Sequence, residues 1–242
     1  MSSSSAAERR SIRIPGDGLQ LSGIWLQPED PVALLVLAHG AGAGMEHPHL
    51  ERLAHRLAEQ RVATLRYQFP YMERGTRRPD RAPVLERAVR DAVVFGAERA
   101  DGLPVFAGGR SMGARMSVRA QVDAPLPVNG LVFFAFPLHR PLRIADPDPE
   151  RLERATHLLE ADLPMLFLAG SRDRLARPHL LEGVVDQIEA PNVQLHMVDT
   201  ADHSFVPTRK SGRELEEVEQ EIARVCAQWM QPLISGRTDQ PD

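Results

Sequence analysis

Five consecutive residues, Gly109-Arg110-Ser111-Met112-Gly113, have the spacing G-x-S-x-G of a nucleophile elbow. An apolar run, Val105–Ala107, leads into them, and a helical pattern through Met116 and Val118 follows. A serine in so tight a strand-to-helix turn must adopt a strained backbone conformation that lifts its hydroxyl off the end of a sheet. A side chain two residues before or after it would collide with neighbouring main chain, so glycine is required at both places. The helix that starts at Met112 aims its free N–H groups and the positive end of its dipole at the place where negative charge develops. A glycine turn that merely packs closely shares the pentapeptide; the strand before it and the helix after it favour the chemical reading.

A serine hydroxyl is a poor nucleophile until a base takes its proton, and that base needs a third group to orient it. In a parallel α/β sheet such groups gather at the carboxyl ends of the strands. The run PMLFLAG (164–170) is followed by Ser171-Arg172-Asp173, and NVQLHMV (192–198) by Asp199-Thr200-Ala201-Asp202-His203. His203 is expected to be the general base and then the general acid, with Asp173 holding its imidazole. Asp202 adjoins His203 and is poorly placed to meet the ring of its own neighbour. Asp199 ends a strand and points either way, and the segment Phe136-Pro137-Leu138 offers no acid.

The oxyanion of a tetrahedral intermediate needs two donors. Met112 supplies one backbone N–H. The second is expected from the loop His39-Gly40-Ala41-Gly42-Ala43-Gly44, from Ala41 with Gly42 as the fallback, while His39 anchors the loop. The same loop invites a dinucleotide reading, but G-x-G-x-G lacks the G-x-G-x-x-G spacing and the next strand ends Leu65-Arg66, without an acid. Arg66, Arg110 and Arg115 lie at or near strand ends, where a guanidinium would suit a substrate carboxylate, although arginine is abundant throughout. His139 borders either an acyl pocket or the surface. Tyr67, Phe69, Tyr71 and Met72 either line the pocket or cover the sheet edge. Arg110, His139 and Tyr67 are the expected substrate contacts. Glu46, His47 and His49 resemble a metal cluster, but residues two apart do not share a helix face, and a solvated helix start is the better reading. No metal and no cofactor are expected.

The elements that must position these groups are legible as patterns. In 11–26, two alternating runs flank Pro15-Gly16-Asp17-Gly18, the chemistry of a β-hairpin. ALLVLAH (33–39), VATLRY (62–67), GLVFFAF (130–136), PMLFLAG and NVQLHMV are strands. Helices are expected at 46–60, with Leu50, Leu53, Leu57 and Ala58 inward, and at 82–98, with Leu85, Ala88, Ala92 and Phe95 inward. Others fall at 150–160, at 177–188 and at the C-terminus. There Ser211 and Glu214 read as a capping box before the stripe Leu215, Val218, Ile222, Val225 and Trp229. Near-continuous apolar strands alternating with amphipathic helices predict an α/β fold: a mostly parallel sheet with helices on both faces. A single domain over 10–232 is expected, with disordered tails at 1–9 and 233–242. Residues 137–163 hold too little chain for a large lid, which predicts an open, shallow site.

The 242 residues are 43% hydrophobic, ample for a core, and their net charge of −4 comes from 29 basic and 33 acidic groups. Nothing in that balance points to nucleic acid or an anionic membrane. One cysteine, Cys226, excludes an intramolecular disulfide and a cysteine-built zinc site, and suits a reducing cytoplasm. The opening MSSSSAAERR has no apolar segment of a secretory signal. The runs Val32–Ala38 and Leu131–Pro137 are too short to span a bilayer.

Over residues 11–231 the chain resembles the α/β-hydrolase superfamily, and Ser111, Asp173, His203 follow the order along the chain expected there. The segments HGAGAGMEHPHL, LRYQFPYMERG…RPDRAP, GGRSMGAR, FFAFPLH, LAGSRDRLA and DHSF are similar to one bacterial subgroup. That subgroup is grouped with the testis-expressed hydrolase-like proteins and a related subunit of the NSL chromatin complex, and is close to the dienelactone-hydrolase-like proteins. The resemblance implies Ser111, Asp173 and His203 as a triad and implies no substrate. Dienelactone hydrolases proper have a cysteine at the elbow, and epoxide hydrolases and haloalkane dehalogenases an aspartate; the serine here disfavours all three chemistries. The expected reaction is cleavage of a carboxylic ester, or a thioester, through an acyl-enzyme, with a small-molecule substrate. Acyl transfer to another alcohol would use the same parts. The rival expectation is a non-catalytic interaction module that keeps the fold, and peptidase activity is a weaker third.

Overall fold

Every residue of the strand Ala33–Ala38 is buried, because its two faces look into two different cores. The computed structural model describes residues 7–16, 18–139 and 154–235. Their strands are β1 (Glu8–Ile14), β2 (Leu21–Gln27), β3 (Ala33–Ala38), β4 (Val62–Tyr67), β5 (Val105–Arg110), β6 (Leu131–Phe134), β7 (Met165–Gly170) and β8 (Val193–Val198). Their helices are α1 (Pro48–Glu59), α2 (Pro70–Glu73), α3 (Ala82–Glu98), α4 (Met112–Asp123), α5 (Thr156–Glu160), α6 (Pro178–Val185) and α7 (Leu215–Ser235). All eight strands join one sheet in the order β1-β2-β4-β3-β5-β6-β7-β8. The β1–β2 and β2–β4 pairs are antiparallel and the rest parallel.

Successive side chains of a strand point to opposite faces. Leu34, Val36 and Ala38 therefore join Leu85, Ala88 and Ala92 of α3 and Met116 of α4 in one core. Ala33, Leu35 and Leu37 join Leu50, Leu53 and Leu57 of α1 and Val218, Ile222 and Trp229 of α7 in the other. The parallel strands run in register, Ala38 opposite Tyr67 on one side and Gly109 on the other. The carboxyl ends of β3, β4 and β5 thus finish level, with the loops that follow them along one rim.

The structure departs from the expected pattern at a few points. β1 begins at Glu8, inside the segment expected as a tail, because its backbone pairs with Gln27 and Leu26. α7 continues past residue 232 to Ser235. The cap forms three residues later than the sequence suggests, and as one half of a capping box. Glu217 accepts from the Glu214 N–H at 2.9 Å, while the Ser211 hydroxyl donates to Thr208 O at 2.6 Å in a short 3₁₀ turn. Residues 1–6, Asp17, 140–153 and 236–242, including most of the expected tails and much of the segment expected to lack a lid, lie outside the described residues. Among the described residues no helix is long and apolar enough to cross a membrane.

Trp229 pins α7 to the sheet. Its ring meets Phe106 edge-on at 5.8 Å, and its Nε1–H donates to Asn192 O at 3.3 Å. Trp229→Ala is expected to lower unfolding stability by about 3–5 kcal/mol. The urea midpoint with an unchanged m-value measures it; a loss under about 1 kcal/mol would make α7 peripheral.

Candidate active site

Ser111 stands between β5 and α4 with φ 52° and ψ −110°, a left-handed conformation that a non-glycine residue holds only when its surroundings enforce it. Its surroundings are closely packed. A Cβ at Gly109 would lie 2.6 Å from Ala38 O, and one at Gly113 would lie 2.6 Å from the same atom. The elbow therefore packs directly on the end of β3, and both flanking positions must lack a side chain. Ser111 N–H donates to Phe134 O at 2.9 Å, and α4 starts at the next residue.

The His203 loop leaves β8 and closes on itself. Ala201 pairs with Pro207, and Asp202 Oδ1 accepts from the N–H groups of Ser204 at 2.8 Å and Val206 at 3.1 Å. Phe205, with φ 58°, is fully buried and stacks on His49 at 6.1 Å. The imidazole so held has Nδ1 2.7 Å from Asp173 Oδ2 and Nε2 2.9 Å from Ser111 Oγ. A carboxylate only accepts, so Nδ1 carries the proton and Nε2 is left to accept from the serine hydroxyl. Asp173 is fixed in turn by its second oxygen, which accepts from Leu175 N–H at 2.7 Å. The other acids face away from the ring: Asp202 caps the loop, and Asp199 Oδ1 accepts from Thr200 N–H at 2.8 Å.

The loop after β3 is held from two sides. His39 Nε2 accepts from Phe69 N–H at 3.1 Å, so Nδ1 is the protonated nitrogen and donates to Gly40 O at 2.8 Å. Burial, outweighing the bond to Gly40, with His47 nearby, brings the His39 pKa down to about 4. Farther along, the Gly42 N–H donates to the Tyr71 hydroxyl at 3.0 Å. That bond occupies the fallback oxyanion donor. The amides of Ala41 and Met112 have no hydrogen bond among the described residues, and both residues line a cavity with Ser111.

A family model for the α/β hydrolase domain matches residues 31–231. The chain belongs to the α/β-hydrolase family. Solved structures agree on the fold of this hydrolase. A dienelactone hydrolase from Anabaena variabilis superposes with a TM-score of 0.73 at 18% identity, covering 94% of this chain and 99% of that one. A serine hydrolase homologue from Coxiella burnetii reaches 0.69 at 20% identity over 89% and 96%. A serine hydrolase without a lid from Xanthomonas campestris reaches 0.67 at 18% over 92% and 95%.

The cavity beside Ser111 has a volume of about 370 Å³. Ala82, Leu85, Met116, Pro137 and Leu175 give it apolar walls, and Arg115, Arg154 and Asp80 add charge. The three expected substrate contacts of the hydrolase lie elsewhere. Tyr67 is buried in the core and packs edge-on against Phe69 at 5.4 Å. Burial pushes its phenol pKa up. His139 is buried, with its N–H donating to Leu175 O at 3.1 Å. Arg110 turns toward the His203 loop, where Nη2 donates to His203 O at 3.2 Å and to Ser204 Oγ at 3.0 Å. Arg66 is also fully buried, and its Nη1 donates to Met45 O at 3.2 Å. Of the three arginines near strand ends, Arg115 alone lines the cavity, and Arg154, which follows no strand directly, joins it. Phe69 and Tyr71 are buried in the core. Tyr71 acts on the site through Gly42, a contact that no spacing in the sequence signals.

The residues that resembled a metal cluster separate. His47 caps α1, accepting from His49 N–H at 3.3 Å, and Glu46 meets Arg9 at 3.3 Å. His49 lies 3.7 Å from Glu219, whose Oε1 accepts from Arg52 Nε–H at 2.8 Å. Burial, then the charges of Arg110, Arg52 and His47, lower the His49 pKa to about 3. His49 is therefore neutral, and its approach to Glu219 is packing and not an ion pair.

His39 and His49 titrate below the ordinary 6.5 in the folded chain. As pH falls below 6.5, the unfolded chain takes up protons that the native sites refuse, so stability is full above that pH and declines toward pH 4. At pH 5 each is expected to remove about 2 kcal/mol relative to pH 7. Urea midpoints at the two pH values measure the loss, and His49→Gln is expected to roughly halve it, leaving the His39 share; equal midpoints for the unsubstituted protein would contradict the assignment.

Proposed function

We propose that this hydrolase cleaves carboxylic esters through an acyl-enzyme on Ser111. The observation that carries the reading is the unbroken pair of contacts, Ser111 Oγ to His203 Nε2 at 2.9 Å and His203 Nδ1 to Asp173 Oδ2 at 2.7 Å. Ser111 Oγ attacks the acyl carbon as His203 takes its proton, and Asp173 holds the imidazole in the required tautomer and stabilises the imidazolium. The N–H groups of Met112 and Ala41 receive the oxyanion, each donor contributing a few kcal/mol to the lowering of the barrier. His203 then protonates the leaving alcohol. Water, deprotonated by the same imidazole, attacks the acyl carbon and releases Ser111. Thioesters fit the same path, because only the leaving atom changes.

The cavity of about 370 Å³ with apolar walls favours a short acyl group. The site needs no metal for this sequence of steps, since proton transfer and charge stabilisation are met by side chains and main chain.

A fluorophosphonate probe is expected to label the protein, and Ser111→Ala to abolish the labelling. Asp173→Asn is expected to lower kcat on a nitrophenyl ester by on the order of 10⁴-fold, with the fold intact by circular dichroism. Acetyl and butyryl esters are expected to turn over faster than palmitoyl ones. A folded wild-type chain that takes no label would overturn the proposal in favour of an interaction module.

A further inference from the structure

Arg110 occupies the second position of the elbow, where the spacing suggested a group for a substrate carboxylate. Its guanidinium instead reaches two other loops of the site. Nη2 donates to the main-chain carbonyl of His203 at 3.2 Å and to Ser204 Oγ at 3.0 Å. Nη1 lies 3.3 Å from where a Cβ on Gly40 would stand, against the loop that carries the Ala41 amide. The backbone of Arg110 is the last residue of β5, directly before Ser111. One side chain thus joins the nucleophile's strand, the imidazole's loop and the oxyanion loop.

The placement is a demanding one. The Nε of Arg110 is buried with no hydrogen-bond partner among the described residues. Burial lowers the pKa of the guanidinium, and the charges of Asp173 and Asp202 draw it back up. A cation held in such surroundings gives strong, directional bonds to its acceptors, because hydrogen bonds from a charged donor are roughly twice as strong as neutral ones. Its acceptors belong to residues 203 and 204, whose main chain sets the height and tilt of the ring above Ser111 Oγ.

We infer that Arg110 is a positioning residue, holding the His203 loop in register with the elbow and leaving substrate binding to other groups. The inference rests on His203 acting as the base for Ser111. A guanidinium at this point keeps Nε2 within reach of Oγ through the whole cycle, including the step in which the ring is charged and the acyl group fills the elbow. An ammonium supports the loop less well: both bonds leave Nη2, one bond farther from the main chain than a lysine Nζ reaches, and a single nitrogen cannot also lie against Gly40 as Nη1 does.

The test compares wild type with Arg110→Met, Arg110→Lys and Ser204→Ala, each measured for melting temperature, fluorophosphonate labelling rate, and kcat and KM on a neutral nitrophenyl ester. Arg110→Met is expected to lower kcat and the labelling rate together, by on the order of 10²-fold, the scale of a misplaced catalytic group, with KM little changed. Arg110→Lys is expected to recover part of the loss. Ser204→Ala removes a single, exposed contact, leaves the fold in place and is expected to slow both rates by a few-fold. Three outcomes would overturn the inference: wild-type rates in a folded Arg110→Met, a loss confined to KM, or wild-type labelling in Ser204→Ala alongside an Arg110→Met that does not fold. Wild type without Ser111-dependent labelling would instead overturn the serine-hydrolase reading, and this inference with it.

Discussion

The end of β3 sits so close to the elbow that no side chain fits between them, and the rest of the site is arranged around that approach. Ala38 O lies 2.6 Å from the place a Cβ would occupy on either Gly109 or Gly113. Between those two glycines Ser111 holds a positive φ of 52°. The close approach also carries the next residues of β3, His39 to Ala41, along the same rim, so the nucleophile and the loop proposed to hold the oxyanion are set by one main-chain contact. Main chain is stiffer than side chain, and a site built from it needs little reorganisation when charge appears.

Around this floor, hydrogen-bond partners decide which nitrogen of each ring carries the proton. His39 is neutral with its proton on Nδ1, because the Phe69 amide occupies Nε2. His203 carries its proton on Nδ1, because Asp173 accepts there. In each ring one nitrogen is assigned by a partner that can play only one role, and the other is thereby free for the opposite role. The tyrosine that holds Gly42 and the arginine that meets the His203 carbonyl complete a frame in which several loops share a few polar anchors.

The sequence was most legible where strand ends and chemistry coincide. Ser111, Asp173 and His203 each follow an apolar run by a few residues, and the topology of a parallel sheet brings such points to one rim whatever the loops do. The two-faced burial of the strands was readable for the same reason, since continuous apolar runs have no solvated side. Side-chain direction was not readable. Arg110, Tyr67 and His139 have the right types near the right strand ends, yet Arg110 turns into the His203 loop, Tyr67 packs in the core and His139 is buried. α2, only four residues long, is too short to show a helical period. The cap of α7 shifted because Ser211 spends its hydroxyl on a 3₁₀ turn, leaving Glu217 to reach back to the Glu214 amide. Arg154 entered the cavity wall from a distant stretch that no motif marks.

Phe205, two residues beyond the imidazole, is sunk among α1 and α7 on one side of the sheet, whereas α4, which follows the serine, packs with α3 on the other. The hydroxyl and the ring that faces it are therefore mounted on opposite layers. Loosening either layer pulls them apart while most of the secondary structure still stands. Heating would extinguish turnover ahead of the loss of helicity, and the molecule would go silent before it comes undone.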